Sequence, residues 1–331
     1  MSADSDEFIE RLEQEFFYKQ LSRLHSRLFE VDGLRIEVVS GSEDFLINMT
    51  RALAHVAAPS EGAVDLRIEL HSGARIEFFD WPKHSFGDQV QRLQTEQMMC
   101  MVNPGVNESM PTLSFFDGMN KRAVFWVEDD TRIPWYEVAV PFRIIFHWFF
   151  QRHGLSLIHG ASIGKDKKGI VLVGKGGSGK TSTALAVVHQ DDLVYASDDY
   201  VLLKMDPVPT AISLYSSAKI KHHDLEVIGE KEVMFLHEAY SGKIAQQLEV
   251  RAIVLPVIAH AQETSWRRIH SAHALLALAP STIFQLLPED THNDSFAVLA
   301  ELVQRVPSFS LQLSEDEKEI SEKLSVFIEE L

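Results

Sequence analysis

Gly174-Lys175-Gly176-Gly177-Ser178-Gly179-Lys180-Thr181 is the stretch on which the reading of this chain turns. It fits the pattern G-x-x-x-x-G-K-[ST] at every fixed position, follows the apolar run Gly169 to Val173 and precedes the helix-like run Ser182 to His189. A strand, a glycine-rich loop and a helix in that order let backbone N–H groups converge on phosphate oxygens. Gly174, Gly176, Gly177 and Gly179 allow close backbone approach without Cβ collisions. Lys180 is spaced to reach the β- and γ-phosphates, and the Thr181 hydroxyl to bind Mg²⁺. An accidental glycine-rich turn would match the four fixed positions in roughly 1% of chains this long. The nucleotide-binding candidates are therefore the whole stretch from Gly174 through Lys175, Ser178, Lys180 and Thr181 to Ser182.

Outward from that loop, 331 residues of which 45% are hydrophobic can bury a sizeable core and suggest two domains. The formal net charge of −17 is spread over both halves. Such a chain repels nucleic acid and anionic membrane, so neither is expected as a partner. Cys100 is the single cysteine, which excludes an internal disulfide and fits a reducing compartment and a core thiol. Met1 to Glu7 is acidic and lacks the basic and apolar regions of a signal peptide. The apolar cluster Phe142 to Phe150 is short and broken by Arg143 and His147. A cytoplasmic protein is expected.

Along the chain, apolar spacing predicts a helix over Glu7 to Phe29, read as core packing rather than a partner-binding arm, a strand over Leu34 to Val39 and a helix over Asp44 to Ala57. Val64 to Leu70 and Ala74 to Phe79 read as a hairpin around Ser72-Gly73; Thr112 to Phe116 and Ala123 to Val127 read as another around Asp117 to Asn120. Trp81, Trp126 and Trp135 read as core or interface aromatics rather than a ligand platform. The first domain, 1–154, is thus expected to be α+β with a mostly antiparallel sheet. Pro141 to Arg152 reads as a helix leading into the strand Leu155 to Ile158. From there strands and helices alternate around the glycine loop, which predicts an α/β nucleotide-binding core over 155–331. The later strands are Leu193 to Ala196, Val201 to Met205, Ala211 to Leu214, Val233 to Leu236, Ala252 to Ile258 and Ser308 to Leu313. Helices are expected over His273 to Leu287, Asp294 to Val306 and after Ser314.

Ser197-Asp198-Asp199 ends the strand Leu193 to Ala196 and is expected on the rim that carries the loop. Adjacent acids there have two natural jobs, one orienting or deprotonating an attacking hydroxyl and the other holding Mg²⁺. Asp191-Asp192 upstream reads as a turn. His159-Gly160 precedes the loop strand and could reach a phosphate or a carboxylate. Lys221 and His222-His223 lack further ligands for a zinc site. Lys219, Lys221 and Arg251 are candidates for neutralising a transferred phosphate, each read individually as a surface charge.

Together Ile158-His159-Gly160, Gly174 to Ser182 and Ser197-Asp198-Asp199-Tyr200-Val201 resemble the kinase core of the HPr kinase/phosphorylase family, whose fold is related to that of phosphoenolpyruvate carboxykinase. Pro141-Phe142-Arg143 and Phe146-His147-Trp148 resemble the helix that leads into that core. The likeness spans about residues 141–258 well, the C-terminal helices loosely and the first 140 not at all. It implies ATP and Mg²⁺ as cofactors, Asp198 as general base, Asp199 as a metal-associated carboxylate, His159 as an assisting group, and Lys180 and Thr181 as phosphate and metal ligands. The implied reaction is transfer of the γ-phosphoryl group to a hydroxyl, a serine of a protein or peptide, in a homo-oligomer as such relatives often are. A small-molecule kinase and a non-catalytic ATP-binding switch are the alternatives. The Arg-Gly-x-Gly turn of the family's second signature is absent, so HPr itself as acceptor and the reverse phosphorolysis do not follow. Acceptor recognition is the expected role of the N-terminal domain.

Overall fold

The computed structural model describes residues 3–17, 24–59, 61–76, 92–94, 98–103, 111–220, 231–286 and 292–331. The protein is a mixed α/β chain with several sheets, divided into two compact units: Met1–Arg51 with Ala57–Phe149, and Ala52–Val56 with Phe150–Leu331. Among the described residues no helix is long and apolar enough to cross a membrane.

In the first unit, α1 (Ala3–Phe16) precedes β1 (His25–Val31) and β2 (Leu34–Ser40); α2 (Glu43–Thr50) follows, then β3 (Leu66–Ser72), β4 (Arg92–Gln94), β5 (Met98–Asn103), β6 (Thr112–Asp117) and β7 (Arg122–Val127). α3 (Trp135–Ala139) and α4 (Arg143–Gln151) follow β7. The described sheet runs β1-β2-β3-β7-β6-β5-β4. Its edges are antiparallel, but β3 pairs in parallel with both β2 and β7. A parallel return from β2 to β3 needs a crossover, and α2 supplies it, started by Ser42 Oγ accepting from Phe45 N at 3.3 Å.

Two sequence expectations fail here. The helix predicted to Phe29 stops at Phe16, because Asp32 and Gly33 adopt φ of 50° and 78° and fold β1 onto β2 as a hairpin. The hairpin around Ser72-Gly73 does not form, since both edges of β3 are already paired; Phe79 and Trp81 lie outside the described residues. α1 is a core element: Leu12 and Phe16 are buried against Val102, Leu113, Phe115, Val124 and Trp126. Side chains of that size contribute about 1.5–3 kcal/mol each when fully buried. Cys100 lies in the same cluster, where burial pushes its thiol pKa up.

The second unit holds β8 (Leu155–His159), β9 (Ala161–Lys165), β10 (Lys168–Leu172), α5 (Lys180–Leu185), β11 (Leu193–Ser197), β12 (Tyr200–Lys204) and β13 (Thr210–Ile212). β14 (Ser217–Ile220), β15 (Glu232–Phe235), α6 (Leu236–Ala239), β16 (Gln247–Ala261), β17 (Ser265–Ile269), α7 (Ser271–Leu286), α8 (His292–Arg305), β18 (Ser308–Ser314) and α9 (Glu317–Glu330) complete it. β16 is central: β10 and β18 lie parallel to it and β13 antiparallel. Alternation along the strands feeds two cores. Ile170, Leu172, Val254 and Leu313 face α5 and α9, where Leu324 and Phe327 close the layer. Val171, Val173, Val201 and Ile253 face α7 and α8, meeting Leu278, Leu299 and Leu302.

One long ribbon positions the site. β8 and β9 are separated only by Gly160, β11 and β12 only by Asp198-Asp199, and the pairs β12–β8 and β11–β9 are both antiparallel. Two crossing strands thus change direction together, linked by Gly160 N donating to Asp199 O at 3.0 Å. Gly160 must lack a side chain, because a Cβ there would sit 2.8 Å from Leu172 O at the end of β10. The kink is thereby pressed against the start of the glycine loop.

Close backbone packing at the far end of the same ribbon gives a direct test. A Cβ on Gly164 would lie 2.3 Å from Lys168 O and 2.8 Å from Leu248 Cδ2. Gly164→Ala should lower stability by about 1–3 kcal/mol as overpacking does, read as a reduced urea midpoint by circular dichroism; an unchanged midpoint would contradict the packing described.

Candidate functional site

After β10 the backbone N of Val173 donates to Val254 O at 2.9 Å, so the loop leaves the sheet from a fixed point. Gly174, Gly177 and Gly179 then take φ of 144°, 78° and 102°, values that residues with a side chain rarely adopt. Gly179 also packs closely, since its Cβ would meet the tip of the Leu313 side chain, Cδ1, at 2.8 Å. Lys175, Gly176, Gly177 and Ser182 are exposed, while Ser178 Oγ is buried with no hydrogen-bond partner among the described residues.

Lys180 begins α5 and turns back into the loop. Its Nζ donates to Gly174 O at 2.7 Å and Lys175 O at 3.2 Å, leaving the residue 7% exposed. Burial lowers its pKa from the ordinary lysine value, while Asp198 and Asp199 act in the opposite direction. The loop's ammonium and the acid pair therefore sense each other's charge, which brings the first and second sequence signals into one site.

A tight turn sets the acids apart. Tyr200 N donates to Asp198 O at 2.8 Å, Ser197 Oγ donates to Tyr200 O, and Asp199 adopts a φ of 63°. Asp198 is 1% exposed, and neither carboxylate oxygen has a hydrogen bond of good geometry among the described residues. Burial, and then the neighbouring Asp199 charge, push its pKa up to about 7, with the Thr181 side chain pulling the other way. Asp199 behaves oppositely. Burial raises its pKa too, but Lys219, His159 and Lys231 together outweigh that and hold it below the usual carboxylate range. Lys219 Nζ forms an ion pair with Asp199 Oδ2.

His159, 9% exposed, ends β8 opposite Tyr200; its ring lies 5.6 Å from the Tyr200 ring and its backbone N donates to Thr282 Oγ1 at 3.0 Å. His159, Lys180, Thr181, Asp198 and Asp199 thus fall in one neighbourhood. Lys231 and Tyr195 went unread in the sequence, and Lys219, read there as a candidate for neutralising a transferred phosphate, pairs with Asp199 instead. Lys219 lies on β14, Lys231 just precedes β15, and Tyr195 is buried with its hydroxyl on Ser217 O at 2.7 Å. The only signal for the lysines is a cation in one arm of a short antiparallel ribbon and another just before the second arm. Arg251 is elsewhere: it is exposed and paired with Glu249. Lys221, His222 and His223 lie outside the described residues. Asp192, in its turn, accepts from Ser325 Oγ and pairs with Lys165 at 2.9 Å.

Among the described residues no cluster of three or more His, Cys, Asp or Glu could hold a metal ion unaided. The donors that face the loop are nonetheless oxygens: the orphaned carboxylate of Asp198, that of Asp199 and the Thr181 hydroxyl. Such a set fits a hard cation such as Mg²⁺, which keeps waters and takes its remaining ligands from phosphate.

No known family model matches the chain, and no curated protein matches its sequence. Among solved structures, the Hpr(Ser) kinase/phosphatase from Coxiella burnetii aligns with 53% of this chain and 95% of its own, at 10% identity and a TM-score of 0.32. The functional reading is carried by the residues and their geometry, not by so distant a likeness.

The buried acid has a measurable signature. Its folded pKa exceeds the unfolded value near 4, so between about pH 4 and 7 the folded chain holds one proton more than the unfolded chain and stability falls as pH rises. Asp198→Asn removes this penalty. The variant should gain on wild type across that window and level off above it, by on the order of 2–4 kcal/mol at pH 8. Urea titrations at pH 5 and pH 8 check this, and a difference independent of pH would show that Asp198 ionises normally.

Proposed function

We propose that this chain is an ATP-dependent phosphotransferase that moves the γ-phosphoryl group to a hydroxyl, a serine of a protein or peptide. The observation that carries the reading is the juxtaposition of a lysine folded into a glycine loop with an acid pair in which one carboxylate is neutralised and its neighbour is buried and raised toward neutral pKa. Strong separation of two adjacent carboxyl groups is the arrangement acid–base chemistry requires. The serine acceptor comes from the motif resemblance to HPr kinase/phosphorylase, as does the fold type of the core.

In the proposed reaction Lys180 leaves the Gly174 and Lys175 carbonyls for the triphosphate, which the loop N–H groups cradle. Thr181 and Asp199 would hold Mg²⁺, which when bound neutralises phosphate charge. Asp198 accepts the proton of the attacking hydroxyl. The hydroxyl oxygen bonds to the γ-phosphorus as the bond to the β–γ bridging oxygen breaks, and that electron pair leaves with ADP. His159, beside Asp199, orients that carboxylate or the phosphate. Positioning and charge neutralisation carry most of the catalysis in such chemistry.

Purified wild type, Asp198→Asn and Lys180→Met, incubated with Mg²⁺ and γ-labelled ATP in heat-treated host extract, test this. Wild type should label a protein or peptide fraction. Asp198→Asn should keep nucleotide binding but lose transfer by about 10²–10⁴-fold, and Lys180→Met should lose binding. Wild-type kcat/KM should rise with pH through about 7 as Asp198 of the free protein sheds its proton. Label in small molecules would reassign the acceptor. Nucleotide binding with no transfer in any fraction would replace the reading with a nucleotide-sensing switch.

A further inference from the structure

Asp199, the carboxylate assigned to the cation, already has a partner. Lys219 Nζ sits on its Oδ2, and the two side chains are only 13% and 20% exposed. The contact is built from two separate elements. The direction of Asp199 is set by its left-handed backbone and by Gly160 N on its carbonyl. Lys219 comes from β14, which is fixed by pairing with β15 and by the Tyr195 hydroxyl on Ser217 O. Next door, Asp198 lies buried with no hydrogen bond of good geometry to either oxygen among the described residues, the Thr181 side chain favouring its charge from nearby. The ammonium is therefore in direct contact with one acid of the pair and acts on the other only at longer range.

We infer that Lys219 occupies, in the nucleotide-free protein, the position on Asp199 that a divalent cation takes in the working enzyme, so that cation loading proceeds by displacing an internal ammonium. This rests on the assignment of Asp199 in the proposed function and concerns the regulation of that same site. Lysine suits the role, being a point charge on a flexible four-carbon stem, whereas a guanidinium would grip a carboxylate with two parallel hydrogen bonds. Displacement also has a thermodynamic consequence. Bound nucleotide offers the released ammonium a new anionic partner, so nucleotide and cation favour each other's binding, and by linkage the coupling is reciprocal.

Titration of Mn²⁺ alone into the full chain, followed by the paramagnetic resonance signal of the free ion, tests the displacement. Lys219→Met removes the competitor and leaves Asp199 unneutralised, so Mn²⁺ should bind about tenfold tighter than to wild type. Lys219→Arg should move the other way, to about threefold weaker binding, because the fork holds the carboxylate harder. Lys219→Arg keeps the charge and so guards against a folding defect in Lys219→Met, which circular dichroism checks independently. In Asp199→Asn/Lys219→Met the gain should vanish. Equal or weaker binding by Lys219→Met overturns the inference. If Mn²⁺ binds all the proteins in the presence of a non-hydrolysable ATP analogue but the substitutions at Lys219 do not change its affinity, only the displacement falls. Failure of Mn²⁺ to bind any of them, with or without that analogue, removes the cation role of Asp199 and the displacement with it.

Discussion

Two carboxylates on consecutive residues, both taken out of water, are the constraint around which the second unit is built. Like charges about 4 Å apart repel by about 4 kcal/mol at an effective dielectric near 20, so such a pair persists only if cations are brought to it or a proton is kept. Both solutions are present. Lys219 neutralises Asp199, with Lys180 and Lys231 adding positive potential, and Asp198 takes the proton. The inequality of the two acids therefore follows from where the lysines can reach, not from any difference between the residues.

The backbone is arranged to serve that balance. A ladder that ran straight through Asp198-Asp199 would send successive side chains to opposite faces. The turn at Asp199 and the matching break at Gly160 interrupt the alternation, and the contact of Gly160 with Leu172 O brings the interruption against the loop. Support continues behind the lysine. The segment that leads into β14 is held to the 3-10 helix Arg51–Val56, where Ser216 N and Ser216 Oγ both donate to Ala52 O at 2.9 and 3.0 Å. His55 Nε2 lies 2.8 Å from Ser213 Oγ in the same contact.

What could be read from sequence follows from the range of each interaction. The glycine loop, the β6–β7 hairpin and the closing strand and helix are local, with their turn residues and periodicity contained in a dozen positions. Ser72-Gly73 looked like a hairpin because local chemistry cannot tell that β3 has two parallel partners far along the chain. Ser26 to Phe29 looked helical because a short apolar spacing suits either period, and Asp32-Gly33 was the signal that decides it. Within the site, Asp198 and Asp199 were legible as a pair but not as unequal. Their inequality depends on Lys219, twenty positions away on another ribbon, and a lone lysine carries no mark of the partner it will meet.

In the resting site each cation destined for a ligand is held by the protein itself. Lys180 rests on the carbonyls of its own loop and Lys219 on Asp199, which keeps two part-buried ammonium groups satisfied without substrate. Leaving either unpaired would cost several kcal/mol of desolvation, and stability would suffer accordingly. The Asp198 carboxylate has no hydrogen bond of good geometry among the described residues, and partial protonation reduces the same cost. A ligand that brings phosphate and a cation exchanges these internal contacts for external ones at little net cost in charge burial. The same exchange favours ionisation of Asp198, because a divalent cation beside Asp199 brings more positive charge to it than the single Lys219 ammonium that acts on it before. The group that must become a base is thus held partly protonated near neutral pH in the absence of the very ligand on which it would act.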